Sequence, residues 1–179
     1  TLEPLDMAGA ETVLAEMRAA GEKPEAVHYA ALIHAKGCVQ HDMAGARSLF
    51  DTVASESKVK LQPCVYQAMF ESLVANRQVA DAEPLLAHMT SRRVEMTPYI
   101  ANALIHGWAL EKDITRARQA FDRVSYADRE PSTYEAMVRA HLAVEDRDSA
   151  QSVVAEALSR GYPSAVSNKI AELVGGGRQ

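Results

Sequence analysis

Histidine and cysteine are the residue types in this chain best suited to metal or nucleophilic chemistry, and their spacing decides whether they can act together. The sequence contains six histidines and two cysteines, Cys38 and Cys64. It has neither a Cys-x-x-Cys pair nor the paired His/Cys spacing of a zinc site. We therefore expect no bound metal, and we expect the two thiols to be buried or idle in a reducing compartment.

The recurring histidines His34, His106 and His141 are predicted to lie on separate helices. Packed neighbouring helices are ~10 Å apart, so these rings cannot share one metal ion. The chain also has no glycine-rich phosphate loop, no nucleophile elbow and no Ser/His/Asp arrangement. The sequence predicts a protein that is not an enzyme, with no cofactor and no small-molecule substrate.

Composition and charge set further limits. The chain has 179 residues, of which 47% are hydrophobic, and a formal net charge of −5. No apolar run approaches the ~20 residues that span a bilayer, and the N-terminus lacks the charged-then-apolar pattern of a signal peptide. We expect a globular protein without membrane association. The net charge is negative, whereas nucleic-acid-binding proteins usually carry an excess of basic residues.

The helices that must position any site recur along the whole chain. The stretch DMAGA occurs at Asp6–Ala10 and again at Asp42–Ala46, and each copy opens a ladder of small and apolar residues at offsets of four and seven. These offsets lie on one helical face. The anchoring alanines of five such helices are spaced by 36, 36, 35 and 33 residues: Ala10, Ala46, Ala82, Ala117 and Ala150. We call them second-type helices, and four begin with a predicted aspartate cap: Asp6, Asp42, Asp113 and Asp146.

First-type helices alternate with them. They begin at Ala26, Pro63, Pro98, Pro131 and, in degenerate form, Pro163. Proline suits the first helical turn because its missing N–H leaves no hydrogen bond unmade there. Helix pairs with this period indicate a helical solenoid. The sequence thus predicts an all-α fold, a right-handed α-solenoid of antiparallel helix pairs with about four full repeats and a half-repeat at each end.

We expect a single helical-repeat domain over residues 1–174, followed by a flexible tail at 175–179. It comprises a half-repeat, four repeats and a second half-repeat: 1–25, 26–62, 63–97, 98–130, 131–162 and 163–174. Because arrays usually end in capping units with polar outer faces, the chain is expected to be a fragment of a longer array. Pro84 is expected in the first turn of a helix that starts late. The segment before Pro63 makes its repeat about two residues longer than the next one. We expect this extra length to lie in a surface turn.

The repeats resemble the pentatricopeptide family. VHYAALI, CVYQAMF, YIANALI and STYEAMV resemble that family's first helix, Val-Thr-Tyr-Asn-x-Leu-Ile, and MAGARSLFDTV resembles its second. No copy shows the Trp-x-x-Leu-Gly-x-x-Tyr of tetratricopeptide repeats. The resemblance covers nearly the entire chain. It implies a module that binds single-stranded RNA, one base per repeat, in an organellar, here mitochondrial, factor for transcript processing, stability or translation.

The resemblance also implies which residues face the bases. The first reader directly follows the first-helix aromatic position: Ala30, Gln67, Asn102 and Glu135. The second is the last residue of the repeat: Gln62, Thr97, Glu130 and Tyr162. Residues three before the first reader are expected to sandwich bases: Val27, Cys64, Tyr99 and Ser132. Among these, Asn102 alone belongs to the family's readable set, Tyr99 can stack on a base, and Val27 can pack on one.

Two interpretations stay open at this point. One is a segment of a sequence-selective array that binds an organellar transcript. The other is a protein-interaction scaffold whose concave surface takes a peptide or a partner helix, which the neutral inner face and the unusual readers favour. Nothing supplies the carboxylate cluster of a metallonuclease or the His-x-Glu and Cys-x-x-Cys of a deaminase.

Overall fold

The computed structural model describes residues 12, 14–17, 19–55 and 61–175, and all regular structure in these ranges is helical. The helices are α1 (Ala26–His34), α2 (Met43–Ser55), α3 (Pro63–Ala75), α4 (Ala82–Ser91), α5 (Pro98–Leu110), α6 (Ile114–Asp122), α7 (Pro131–Ala143), α8 (Arg147–Ser159) and α9 (Ser164–Gly175). The predicted all-α class is confirmed. Most of the predicted half-repeat 1–25 and of the tail 175–179 lies outside the described residues.

The chain divides into two compact units, Thr1–Glu95 and Met96–Gln179. In the first unit, α1 packs on α2 and on α3, and α3 packs on α4. In the second unit, α5 packs on α6 and α7, and α7 packs on α8 and α9. First-type helices therefore contact both their own partner and the next first-type helix within each unit. The division of 1–174 into repeats stays a prediction.

Proline and aspartate start the helices as expected. Pro63, Pro98 and Pro131 occupy the first turns of α3, α5 and α7. The carboxylates of three aspartates accept backbone N–H bonds at the starts of α2, α6 and α8: Asp42 from Gly45 at 2.8 Å, Asp113 from Arg116 at 2.9 Å, and Asp146 from Ser149 at 3.1 Å. Asp6 lies outside the described residues. Helix α4 starts late, after a 3₁₀ turn at Val79–Asp81, so Pro84 falls in its first turn.

The described anchoring alanines are fully buried in the core. Ala46, Ala82, Ala117 and Ala150 have no exposed surface, whereas Ala10 lies outside the described residues. A methyl side chain lets paired helices approach closely, and bulkier apolar residues at the offsets of four and seven fill the space around it. Trp108 and Phe70 are also buried, in agreement with their apolar helical positions.

A left-handed residue turns the chain between the helices of each pair: His41 (φ 56°), Arg77 (φ 57°), Lys112 (φ 57°) and Glu145 (φ 62°). Each lies five residues before an anchoring alanine. In the pairs that begin at Pro63, Pro98 and Pro131, this residue lies fourteen residues after the proline. In the first pair it lies fifteen residues after Ala26, so that pair contains one extra residue.

That extra residue is taken up by a π-helix, Ala35–Val39, which continues α1. Gly37 in this π-helix lies directly against Ser72 of α3, and the Asn76 amide donates to the Gly37 carbonyl at 2.7 Å. The expectation that the whole extra length lies in a surface turn is therefore corrected. One of the two added residues is inside a helix, and residues 56–60 of the proposed turn lie outside the described residues.

Candidate nucleic-acid interface

The predicted base-facing side chains occupy matching positions on the first-type helices. Ala30, Gln67, Asn102 and Glu135 are the fifth residues of α1, α3, α5 and α7 and are partly exposed. Three residues earlier, Val27 and Tyr99 are 51% and 58% exposed, Ser132 is exposed and Cys64 is partly buried. A spacing of three places both positions on one helix face. Each helix thus presents the residue predicted to read a base beside the residue predicted to sandwich one.

The last residues of the predicted repeats lie at helix starts. Gln62, Thr97 and Glu130 are the N-caps of α3, α5 and α7. The Thr97 hydroxyl accepts the Ile100 N–H at 3.3 Å and so serves its own helix. Gln62 and Glu130 are exposed and make no capping bond with their side chains. The Tyr162 hydroxyl donates to the Arg129 carbonyl at 2.7 Å, which commits it to a structural contact.

Within the first unit, the reader Gln67 is held by a charged neighbour. Its Nε2 donates to Glu71 Oε1 at 2.9 Å, and Glu71 Oε2 lies 3.6 Å from His34 Nε2 of α1. A carboxylate can only accept, so this bond fixes which end of the amide is the nitrogen. Gln67 therefore offers its carbonyl oxygen, a hydrogen-bond acceptor, to an incoming group.

Within the second unit, the reader Asn102 contacts the next sandwiching position. Its Nδ2 donates to Ser132 Oγ at 3.0 Å. Its Oδ1 is buried and has no hydrogen-bond partner among the described residues. A buried acceptor without a donor costs about 1–3 kcal/mol, and an N–H from a nucleobase edge would remove that cost.

A groove of about 440 Å³ runs between α5 and α7 beside these residues. His106 and Leu110 of α5 line one side, and Ser132, Glu135 and Arg139 of α7 line the other. Glu135 is paired with Lys169 of α9 at 3.0 Å. The groove therefore combines an apolar wall, which suits the face of a base, with an exposed arginine that can reach a phosphate.

No metal chemistry emerges from the part of the chain that the structure describes, since no three His, Cys, Asp or Glu residues there could hold an ion. His34 and His106 are exposed, and His141 is buried with its Nδ1 3.2 Å from Asp146 Oδ2. Burial raises the pKa of the Cys38 thiol, which weakens it as a nucleophile at neutral pH. No helix among the described residues is both long and apolar enough to cross a membrane.

Three contacts at this face escaped the sequence reasoning. The contact between Gln67 and Glu71 could have been predicted, since the two residues lie four apart on the same helix. Ser132 and Lys169 reach Asn102 and Glu135 from other helices, and only the packing reveals those contacts.

Comparison with known proteins agrees with this architecture. A sequence family described as "Pentatricopeptide repeat-containing protein" matches residues 6–124. The chain is 33% identical over 180 residues to pentatricopeptide repeat-containing protein 5, mitochondrial, of Schizosaccharomyces pombe. That alignment covers 97% of this chain but 14% of the yeast protein, so the chain spans about one seventh of its relative's length.

Solved structures show the same fold. The chain is similar to the pentatricopeptide repeat protein PPR10 in complex with an 18-nt psaJ RNA element, with a TM-score of 0.69 and 15% identity, covering 96% of this chain and 24% of that one. It is also similar to the PPR domain of Arabidopsis thaliana protein-only RNase P 1 in complex with tRNA, with a TM-score of 0.68, 14% identity and coverages of 94% and 90%. At these identities the likeness shows the α-solenoid fold.

Proposed function

The chain belongs to the pentatricopeptide repeat family, and from that premise we propose that it binds single-stranded RNA along the faces of its first-type helices. Within the longer protein it would serve a mitochondrial gene-expression factor that acts in processing, stability or translation of transcripts. The yeast relative is named as a mitochondrial protein, which supports the compartment. The RNA-bound structures of PPR10 and of the RNase P domain support the ligand class.

The observation that carries the proposal is the constellation of Tyr99, Asn102 and Ser132 beside the groove of the second unit. Tyr99 offers an exposed ring on which a base can stack. Asn102, one turn later on α5, has a buried acceptor that lacks a donor. A base held against Tyr99 would bring its hydrogen-bonding edge to Asn102, while Ser132 keeps the amide in place.

The charges of this face predict modest affinity. Glu135 is neutralised by Lys169, and Arg139 is the exposed cation of the groove. Few phosphate contacts are therefore available to release counterions. We expect a Kd no tighter than about 1 µM at physiological salt for the 179-residue chain.

A scaffold for a protein partner is the second candidate. Its support is that Gln67 and Glu135 already contact side chains of this chain, Glu71 and Lys169 respectively. These contacts leave fewer of their polar atoms free to bond to a base. A partner helix or peptide could lie in the same groove, where Leu110 supplies apolar contact.

Fluorescence anisotropy with short single-stranded RNA pools at two salt concentrations separates the two. The proposal predicts saturable binding that weakens with salt. Tyr99→Ala should lower the affinity at least about 5-fold through the lost stacking, and Asn102→Ala should change the preference at one base. Tyr126→Ala is a matched control, since Tyr126 is a 51% exposed tyrosine outside the first-type helices. Absence of binding, or equal losses in Tyr99→Ala and Tyr126→Ala, would reject the RNA interface.

A further inference from the structure

The two units contain two versions of one aromatic cluster between their second-type helices. In the second unit, Phe121 and Tyr134 meet edge to face at 5.5 Å and 74°. In the first unit, Phe50 and Tyr66 meet at 5.6 Å and 69°. The phenylalanines lie four residues after anchoring alanines, and each tyrosine is the fourth residue of a first-type helix. The two clusters are therefore equivalent by position and by geometry.

The polar partner of each tyrosine is also equivalent by position. The Tyr134 hydroxyl donates to Glu156 Oε1 at 3.2 Å, and the Tyr66 hydroxyl lies 3.0 Å from His88 Nδ1. Glu156 and His88 both lie six residues after an anchoring alanine. The clusters thus differ at this place by a carboxylate in one and an imidazole in the other.

In the second unit an arginine fills the cluster. The Arg129 guanidinium lies 4.2 Å from the centre of the Phe121 ring. Its Nη1 is 2.7 Å from Glu156 Oε1, its Nη2 is 3.4 Å from Asp122 Oδ1, and its Nε donates to the Val124 carbonyl at 3.2 Å. Its side chain is only 11% exposed. An aromatic face, two carboxylates and a carbonyl together form a cradle for a guanidinium.

In the first unit the equivalent place is an open groove of about 490 Å³. Phe50, Asp51 and His88 line it, in the positions of Phe121, Asp122 and Glu156, and its wall also carries Arg47 and Asp81. Asp51 forms no ion pair with any described residue. Arg47 does not neutralise it in the way that Arg118 contacts Asp122, because Arg47 pairs with Asp81 at 2.6 Å.

Arg92 does not fill the groove either. It donates to the Ala54 carbonyl at 3.3 Å, and its positional equivalent, Arg160, donates to the Ala127 carbonyl at 3.1 Å. Counted from the anchoring alanine the counterpart of Arg129 is Lys58, which lies outside the described residues, and counted back from the next first-type helix it is Leu61. The described part of the first unit therefore holds the aromatic floor and one carboxylate of the cradle, while its two nearby arginines are engaged elsewhere, Arg47 with Asp81 and Arg92 with the Ala54 carbonyl.

We propose that this groove binds an arginine side chain presented by a protein partner. Phe50 would stack on the guanidinium, and the carboxylate of Asp51, which has no ion-pair partner among the described residues, would accept its N–H groups. The remaining volume is walled by Met69, Pro84 and Leu85, which suits an apolar residue beside the arginine. The site is built from α2 and α4 with Met69 of α3 in its wall, and none of the predicted base-facing residues lines it.

The charge state of His88 is compatible with a cation. Burial lowers the pKa of His88, and the nearby Arg92 charge lowers it further, against the opposing effect of Asp51. The ring is therefore neutral at physiological pH and does not repel a guanidinium. If Nδ1 carries the proton toward Tyr66, Nε2 can accept a bond from the ligand.

NMR titration of the 179-residue chain with N-acetyl-arginine methylamide and with its lysine analogue tests the proposal. The arginine probe should shift the Phe50 and His88 ring signals saturably, with an affinity at least about 3-fold higher than that of the lysine probe. Asp51→Asn should weaken arginine binding about 3-fold or more. His88→Glu, which restores the carboxylate found in the other cluster, should strengthen it by a similar factor. Glu83→Gln, an exposed acid on α4 that does not line the groove, is the matched control and should change nothing.

Three results would overturn the proposal. The first is no saturable shift of the groove signals at any probe concentration the chain tolerates. The second is equal binding of the two probes, unaffected by Asp51→Asn. The third is binding that appears only in a Lys58→Ala variant, which would identify the chain's own lysine as the occupant.

Discussion

Arg129 is expected to be the single most stabilising charged side chain of the second unit. Truncation to alanine removes its stacking on Phe121, its pair with Glu156 and its bond to the Val124 carbonyl. A hydrogen bond to a charged group contributes about 1.5–3 kcal/mol, and a desolvated cation–π contact about 2 kcal/mol. Breaking a buried pair from one side costs about 3–5 kcal/mol, because the other charge stays behind without a partner.

The lower end of that range applies here. The side chain of Glu156 is 26% exposed, so water would partly solvate the carboxylate that is left behind. We therefore predict that Arg129→Ala lowers the free energy of unfolding by about 3 kcal/mol. Urea denaturation followed by circular dichroism measures the change, and hydrogen exchange of the α6, α7 and α8 amides locates it in the second unit.

Arg118→Ala is the matched control. Arg118 lies 5.0 Å from the same Phe121 ring and contacts the same Asp122, at 3.0 Å, but its side chain is 43% exposed. An exposed pair of this kind contributes about 0.2–1 kcal/mol. Two results would contradict the prediction: equal loss of unfolding free energy in the two variants, or a loss of less than about 1 kcal/mol in Arg129→Ala. Either would show that burial does not strengthen the contacts of Arg129.

Three further predictions concern the packing and the pH response. Ala117→Leu should cost about 1–3 kcal/mol in urea denaturation, because Ala117 is fully buried where paired helices meet. Gly37→Ala should cost a similar amount, since the added Cβ overlaps the Ser72 side chain, and Ser72→Gly should restore part of the loss. Burial and the Glu156 charge raise the pKa of Tyr134 from 10.0 to about 12. The unfolded chain therefore loses this proton first, and stability should fall between about pH 10 and 12 by up to about 1.4 kcal/mol per pH unit. In Tyr134→Phe this part of the decline should be absent; an unchanged slope in an alkaline denaturation series would contradict it.

The repeating elements could be read from the sequence because each has a local cause. A proline or aspartate marks a helix start, and an alanine ladder marks the buried face. Pro98, Asp113 and Ala117 illustrate this, since each acts within its own helix or at its own cap. Features that depend on interactions within one helical turn can therefore be predicted from the sequence.

The side-chain partners at the candidate site could not be predicted in the same way. Ser132 reaches Asn102, and Lys169 reaches Glu135, across gaps of 30 and 34 residues in the chain. The π-helix was also missed, because it depends on the close approach of Gly37 to Ser72. Which residues in fact contact RNA stays a prediction, since the family pattern supplied the candidates and the geometry shows only where they lie.

The π-helix of the first pair also determines how the reading positions must be numbered. In the other pairs the left-handed turn residue lies ten residues after the first reader, as Arg77 does after Gln67. Counting back ten residues from His41 would assign the reader to Ala31, whereas counting forward from the start of α1 assigns it to Ala30. The insertion lies beyond the reader, so it leaves that end of the helix unchanged. If the repeats bind successive nucleotides as proposed, their predicted readers must therefore be counted from helix starts, because counting from the turns would assign the first repeat to the wrong residue.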